Sequence, residues 1–217
     1  MHSARPVTHL IIGLLLCAAT LRAQQSPTAA ALARKVDDHY NHLTTLEAHY
    51  TEHYAGMGLN RTESGTLLLK KPGRMRWTYE SGKLFLLDGK NAWSYSPGDA
   101  EAQKAPAKEL DDLRSPLRLL LGHTQLAKEL DNLTIAPAGA SFVLSGTPKQ
   151  DAAQRIQSLA LTVTADGAIT AIRMQESDGA VTDFAFTDMH ENVPVPANTF
   201  VFTPPPGVVV VNGPPPI

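Results

Sequence analysis

Two histidine pairs in this 217-residue chain are close enough in sequence to be considered as ligands of a metal ion. His39 and His42 have a spacing that places both on one face of a helix. His49 and His53 fall on a predicted strand, where four residues span about 13 Å, too far for one ion. Zinc needs a third protein ligand, and the sequence offers His39 and His42 no obvious one. We therefore interpret these histidines as solvated surface residues and predict no metal site.

Serines and carboxylates form no catalytic pattern either. The sequence contains no Gly-x-Ser-x-Gly elbow of the kind that presents a serine nucleophile. A glycosidase pair of carboxylates stays open, because any two of the scattered acidic residues could meet in space. The candidates are Asp111/Asp112, Glu129/Asp131, Asp178/Asp183 and Asp188/Glu191. Solvated charges on loops and helix ends are the favoured interpretation, so we predict a protein that is not an enzyme and uses no cofactor.

The N-terminus has the pattern of an export signal. Arg5 precedes a short apolar run, Leu10–Ala19, which is below the roughly 20 residues that span a bilayer. We predict a signal peptide at residues 1–23, cleaved after Ala23. Cys17, the only cysteine, lies within it, so the mature chain would have no thiol for catalysis, metals or disulfides. A lipidated form stays open, although Leu16 is larger than the residue expected before a lipidated cysteine.

Net charge gives no reason to expect an anionic partner. The formal charge is −2, and it becomes −4 when Arg5 and Arg22 leave with the signal peptide. This balance offers no electrostatic basis for binding nucleic acid or an anionic membrane. The length fits one domain, which we place at residues 24–211, followed by a flexible tail at 212–217.

The elements that would position a binding site centre on residues 65–95. Three turn signals divide this stretch into four strands. The turn signals are Lys71-Pro-Gly-Arg74, Ser81-Gly82 and Asp88-Gly-Lys90. Met75, Trp77 and Tyr79 alternate with polar residues, which predicts a half-buried antiparallel strand. Leu84–Leu87 is apolar throughout, so both faces of the sheet must be covered there. The strand parity stays open at this point.

Apolar residues at helical spacing predict helices on both sides of this stretch. Ser26-Pro27 has the pattern of an N-cap followed by proline at the first helical position, and an apolar stripe continues to Leu43. Leucines at 110–121 keep a helical period that Pro116 interrupts, which predicts two short helices. Another helical piece is predicted at Leu126–Leu133.

The remaining segments predict strands and loops. Leu46–Tyr54 is the first strand, and Pro97–Ala107 is a polar loop. In the second half, Asp166-Gly167 and Asp178-Gly179 mark tight hairpins between alternating strands. Thr199–Thr203 is predicted as the last strand.

Together these elements predict an α+β fold that is mainly β, with one large curved antiparallel sheet and helices on one side. No β-α-β alternation occurs, so a parallel sheet with a nucleotide crevice is not expected. Periodicity alone favours a packed core over a ligand cavity at residues 67–95.

Two runs of residues resemble the family of periplasmic outer-membrane lipoprotein carriers, LolA. The first is Gly65-x-Leu-x-Leu-Lys-Lys-Pro-Gly-Arg-Met-Arg-Trp-x-Tyr79, followed by Asp88-Gly-Lys-x-x-Trp-x-Tyr95. The second is Phe200-x-Phe-x-Pro-Pro-x-Gly207. The similarity extends from about Leu32 to Val211, although the first run is shared with sister proteins on the same fold.

The resemblance implies an incomplete antiparallel β-barrel, a strongly bent single sheet with short helices covering its concave face as a lid. It assigns a lipid-binding cavity to Met75, Trp77, Tyr79, Leu84, Leu86 and Trp93, and the lid to Leu113, Leu117, Leu120 and Leu121. Lys71 stands where the family usually has an arginine that bonds to lid carbonyls, so a weaker lid latch is expected. Val209 stands where an acidic residue is common.

The implied function is that of a monomeric periplasmic chaperone for acylated lipoproteins. It would carry them from an inner-membrane ABC-type release complex to the outer-membrane acceptor LolB or an equivalent. Acyl chains cannot cross water unshielded, because exposure costs about 0.8 kcal/mol per CH₂. Two alternatives stay open: a lipid- or lipoprotein-sensing regulatory module on the same fold, and a membrane-anchored LolB-like acceptor if Cys17 is lipidated.

Overall fold

The computed structural model describes residues 27–110, 125–149 and 156–213. The predicted signal peptide with Cys17 and the predicted lid residues Leu113, Leu117, Leu120 and Leu121 lie outside these ranges. Two α-helices are described, α1 (Ala29–His42) and α2 (Leu126–Glu129), together with 3₁₀ turns at Ala107–Leu110 and Ala197–Phe200.

Twelve strands of the described ranges belong to one sheet. They are β1 (Thr45–Gly56), β2 (Leu59–Lys70), β3 (Arg74–Tyr79), β4 (Leu84–Asp88), β5 (Asn91–Tyr95), β6 (Glu101–Pro106), β7 (Leu130–Ala138), β8 (Ser141–Pro148), β9 (Ile156–Val163), β10 (Ile169–Glu176), β11 (Val181–Glu191) and β12 (Val209–Asn212).

Two antiparallel meanders make up this sheet, and the pair β1–β11 joins them. From β1 the strands run in sequence order to β6 and β12 at one edge, and from β11 they run back to β7 at the other. The central ladder pairs Leu46 with Glu191 and Ala55 with Val181. Among the described strands, only β12 runs parallel to its neighbour, β6. The result is one open, curled sheet, and the predicted mainly β class is confirmed.

Helix α1 covers one face of the sheet, which we call the inner face. Its buried residues Leu32, Val36 and Tyr40 share one apolar cluster with sheet side chains. The helix begins at Ala29 and not at Pro27, because Thr28 is the N-cap. Its Oγ1 accepts a hydrogen bond from the backbone N–H of Ala31 at 3.2 Å.

Three other segments depart from the predicted pattern. Pro97–Ala107 is not a loop, since it contains β6, whose backbone pairs with β5 and with β12. Leu126–Leu133 is helical only over α2 and continues as β7. Thr199–Thr203 forms no strand, and the last strand is β12, which includes Asn212 from the predicted tail. In the first two cases pairing with a neighbouring backbone overrides the local side-chain pattern.

A strap, residues 192–203, crosses the opposite or outer face. Polar side chains of the sheet donate to its backbone carbonyls: Thr45 to Val193 at 2.7 Å, Lys70 to Val195 at 3.3 Å and Arg76 to Thr199 at 3.0 Å. Phe200 of the strap is buried with Leu84 and Leu86 in a second apolar cluster. Both faces of the sheet are therefore covered, as the double-sided β4 requires.

The turn after β4 is closed by one carboxylate. Asp88 accepts hydrogen bonds from the backbone N–H groups of Lys90 and Asn91, both at 2.7 Å, and from Trp93 Nε1 at 2.8 Å. Burial alone would raise the pKa of Asp88, but these donors outweigh it and hold the pKa below its ordinary value.

Asp88→Ala is expected to lower the free energy of unfolding by about 2 kcal/mol, because four donors, including the side-chain amide of Asn91, lose their acceptor. Asp88→Asn keeps one carbonyl acceptor and should lose less. Urea denaturation at neutral pH measures both. Since the pKa of Asp88 is depressed, the wild-type advantage should shrink as pH falls through that pKa. Equal stability of wild type and Asp88→Ala would contradict this role.

Candidate functional site

The inner face carries a continuous apolar surface that crosses both meanders. Its buried side chains come from strands on either side of the β1–β11 ladder. They include Leu46, Ala48, Tyr50, Leu67, Leu69, Met75, Trp77, Phe85, Leu87, Leu161, Ile172, Phe184 and Phe186. Contacts with side chains of this composition are non-directional.

The strand register decides which predicted cavity residues share this face. Residues directly opposite each other in an antiparallel pair point to the same side. Trp77 lies opposite Phe85, so Phe85 belongs to the inner face with Met75 and Trp77. Tyr79 is half-buried and packs against the same cluster.

Leu84, Leu86 and Trp93 lie on the outer face, opposite to the side that was expected. Leu86 pairs with Arg76 on one side and with Trp93 on the other, and it packs under the strap. The inner positions of β4 are Phe85 and Leu87 instead. The parity could not be read from the sequence, because every position of β4 from Leu84 to Leu87 is apolar.

Aromatic rings line the middle of the inner face. Trp77 contacts Tyr50 edge-to-face, with ring centroids 4.5 Å apart, and lies 5.5 Å from Phe184. Its Nε1–H donates to the sulfur of Met75 at 2.9 Å, a weak acceptor that suits an apolar setting. Trp77 therefore sits at the centre of the surface and not at its rim.

One end of this surface is polar. Glu52 lies directly opposite Glu63 across the β1–β2 ladder. Glu63 has two cationic partners, Arg61 at 3.1 Å and Lys83 at 3.5 Å. Glu52 accepts a hydrogen bond from the hydroxyl of Tyr79 at 3.1 Å. Burial raises the pKa of Glu52, and the charge of Glu63 adds to this, against the opposing effects of Tyr79 and Lys83.

Polar contacts in the C-terminal half of α1 hold it on the inner face. The ammonium of Lys71 donates to the backbone carbonyl of Tyr40 in the last turn, and burial lowers the pKa of Lys71. Asp37 accepts from the N–H of Leu126, which ties α1 to α2. His39 Nε2 lies 2.8 Å from a carboxylate oxygen of Glu191. Thus His39, predicted to be a solvated surface residue, joins α1 to β11.

A shallow polar pocket of about 430 Å³ lies beside this end of α1, lined among others by Lys35, Asp38 and His42. Across residues 27–110, 125–149 and 156–213, no three His, Cys, Asp or Glu side chains come together as metal ligands. Neither α1 nor α2, the α-helices of those ranges, has the length and apolarity to cross a membrane.

Comparison with known proteins points to one family. A family model described as outer membrane lipoprotein carrier protein LolA matches residues 41–203. An outer-membrane lipoprotein carrier protein of Nitrosospira multiformis is 30% identical over 156 residues, covering 70% of this chain and 73% of that protein. The protein of the same name from Xanthomonas campestris pv. campestris is 30% identical over 191 residues, covering 85% and 90%.

Among solved structures, an uncharacterised conserved protein of Thermus thermophilus is similar, with a TM-score of 0.52 at 13% identity. The match covers 84% of this chain and 97% of that one. At this identity the likeness shows a shared fold.

The half-buried carboxyl of Glu52 makes stability depend on pH in a direction that can be tested. The folded protein holds this proton more tightly than the unfolded chain, so stability should fall as pH rises above the ordinary carboxyl pKa of about 4.3. Glu52→Gln cannot ionise. It should be more stable than wild type at about pH 7, and the gain should shrink towards about pH 4.

Thermal unfolding across this pH range measures the difference. Glu47→Gln is the matched control, because Glu47 is an exposed carboxylate on the outer side of the same strand. The same pH-dependent gain in both variants would show that burial of Glu52 is not its source.

Proposed function

The chain belongs to the family of outer membrane lipoprotein carrier protein LolA, and on this basis we propose that its inner face binds the acyl chains of lipoproteins. The family is one of carriers and not of enzymes. The observation that supports the proposal best is the continuous apolar and aromatic surface around Met75 and Trp77. The function would be exercised in the periplasm by a monomer.

The composition of this surface suits a carrier. Burying an acyl chain gains about 0.8 kcal/mol per CH₂, so a long chain needs no specific pocket to be held. Leucine, methionine and aromatic side chains adapt to chains of different shape. A surface without directional contacts also releases its cargo to a more apolar acceptor, and no ATP is needed at this protein.

The cover of the inner face would have to open for cargo. Within the described ranges, this cover includes α1, whose C-terminal half is held by Lys71, Asp37 and His39. Each such contact is worth only about 1 kcal/mol net. We assign to Lys71 the role of a latch on α1, and to Leu113, Leu117, Leu120 and Leu121 a place in the same lid.

The name that the relatives carry supports a route that ends at the outer membrane. They are called outer-membrane lipoprotein carrier proteins. On this route the chain takes acylated lipoproteins from an inner-membrane ABC-type release complex and delivers them to an outer-membrane acceptor, LolB or its equivalent.

The two tryptophans of the chain allow a direct test, because they lie on opposite faces of the sheet. A lipopeptide with brominated acyl chains quenches only a tryptophan that the chains approach. In Trp93→Phe, which keeps Trp77, we expect loss of most of the fluorescence on binding. In Trp77→Phe, which keeps Trp93, we expect little change.

Circular dichroism of both variants controls for folding. Quenching of Trp93 without quenching of Trp77 would place the acyl chains on the outer face and overturn the proposal. The proposal would also fail if neither tryptophan responded at saturating lipopeptide.

The latch is tested by replacing its donor. Lys71→Met removes the hydrogen bond to Tyr40 and should destabilise the seating of α1 by about 1 kcal/mol, a roughly fivefold faster amide exchange in that helix. Lys71→Arg keeps a donor and should stay close to wild type. Hydrogen–deuterium exchange of the α1 peptide measures both. Unchanged exchange in Lys71→Met would show that Lys71 does not hold α1.

A further inference from the structure

The side chain of Tyr50 presents an unusual polar atom on the inner face. Tyr50 is only 2% exposed. Within the described part of the chain its hydroxyl makes no hydrogen bond, although the Tyr79 hydroxyl lies nearby without meeting hydrogen-bond geometry. A buried hydroxyl without a partner costs free energy, and most proteins avoid one. A partner beyond the described residues would remove this cost.

The sheet holds this hydroxyl in place by packing. The ring of Tyr50 contacts Trp77 at 4.5 Å and Tyr79 at 5.5 Å between centroids, both edge-to-face. Its oxygen lies over Gly65, where a Cβ would approach it to 2.8 Å and the carbonyl oxygen of Thr78 to 2.1 Å. Only glycine at that position leaves room for the Tyr50 hydroxyl.

The neighbouring polar groups already have partners. The Tyr79 hydroxyl donates to Glu52, and Glu63 is paired with Arg61 and Lys83. Tyr50 thus adds to this polar end a hydroxyl that meets no hydrogen-bond geometry within the described residues. Burial raises the pKa of Tyr50, so the hydroxyl keeps its proton.

We infer that the polar end, formed by Tyr50, Glu52 and Tyr79, is a binding site for the acyl carbonyl that joins a hydrocarbon chain to the head of the cargo. This inference rests on the proposed function, since the hydrocarbon itself would lie on the apolar surface beside Trp77. The Tyr50 O–H donates to the carbonyl oxygen. The site thereby fixes which end of the acyl group points towards the β1–β2 hairpin. An ester and an amide both offer such a carbonyl.

A matched set of lipids tests the inference in the full mature chain. The probes carry the same sixteen-carbon chain as palmitoyl glycerol, an ester, as palmitoyl ethanolamide, an amide, and as hexadecyl glyceryl ether, which has no carbonyl. Dissociation constants are read from Trp77 fluorescence in the Trp93→Phe background. Tyr50→Phe should weaken binding of the ester, the amide or both by about threefold to tenfold, the worth of one hydrogen bond. The ether should be unaffected.

The pattern across the probes separates the possible results. A loss confined to the ester or to the amide supports the inference and identifies the linkage that is read. An equal loss for all three probes, or no loss for any, overturns it while leaving acyl binding intact. If the Trp93→Phe protein with Tyr50 retained binds none of the probes, the proposed function itself fails, and this inference fails with it.

Two controls address folding. Tyr95→Phe makes the same chemical change on the outer face, where Tyr95 pairs with Leu84, and should alter no dissociation constant. In the lipid-free protein, Tyr50→Phe removes an unpartnered hydroxyl, so its melting temperature should equal or exceed that of wild type. A fall of several degrees would mean that the hydroxyl has a partner within the chain, and it would overturn the inference.

Discussion

The ladder between β1 and β11 is the interaction on which the rest of the structure depends. Each meander alone would end in a strand with a free row of backbone donors and acceptors, and pairing these two strands removes both open edges at once. A register shift between Glu47 and His49 sets the alignment that places Tyr50 opposite Phe186 and Glu52 opposite Phe184. The inner surface is therefore a joint product of sequence-distant halves.

Because the sheet is apolar on both faces, each face must be covered, and a different kind of segment covers each one. On the inner face a helix packs its apolar side chains on the sheet, and its C-terminal half is fixed by Lys71, Asp37 and His39. On the outer face, side chains of the sheet donate hydrogen bonds to backbone carbonyls along the strap. The contact between the helix and the inner face is therefore mainly non-directional, which suits a face that exchanges its contents. The hydrogen-bonded strap suits a permanent seal.

Much of this fold could be predicted from local signals, and its register could not. The Asp-Gly turns and the alternation through Met75 and Trp77 identified hairpins correctly, and the motif that begins at Gly65 led to the correct family. The faces of β4 were undecidable, because only its ladder with β3 distinguishes Phe85 from Leu86. Strand β6 was missed since cross-strand pairing, and not its own side chains, makes it a strand. In strand β1, Glu52 lies on the same side as Leu46 and Ala48. The alternation of side chains along the strand therefore already predicted a carboxyl group on the apolar face. That signal was missed too, because none of the acidic pairs that lie close together in sequence contains Glu52.

The hydrogen bonds between the sheet and the strap have an evolutionary consequence. The side chains of Thr45, Lys70 and Arg76 hold main-chain oxygens, and every amino acid supplies one. Substitutions in the strap thus leave these three hydrogen bonds in place, whereas Asn192, Phe200 and Phe202 hold the strap through their side chains. The path of the strap therefore depends on the three donors and on a few strap side chains. A strap segment transplanted from a divergent homologue should settle on this sheet when it keeps those side chains.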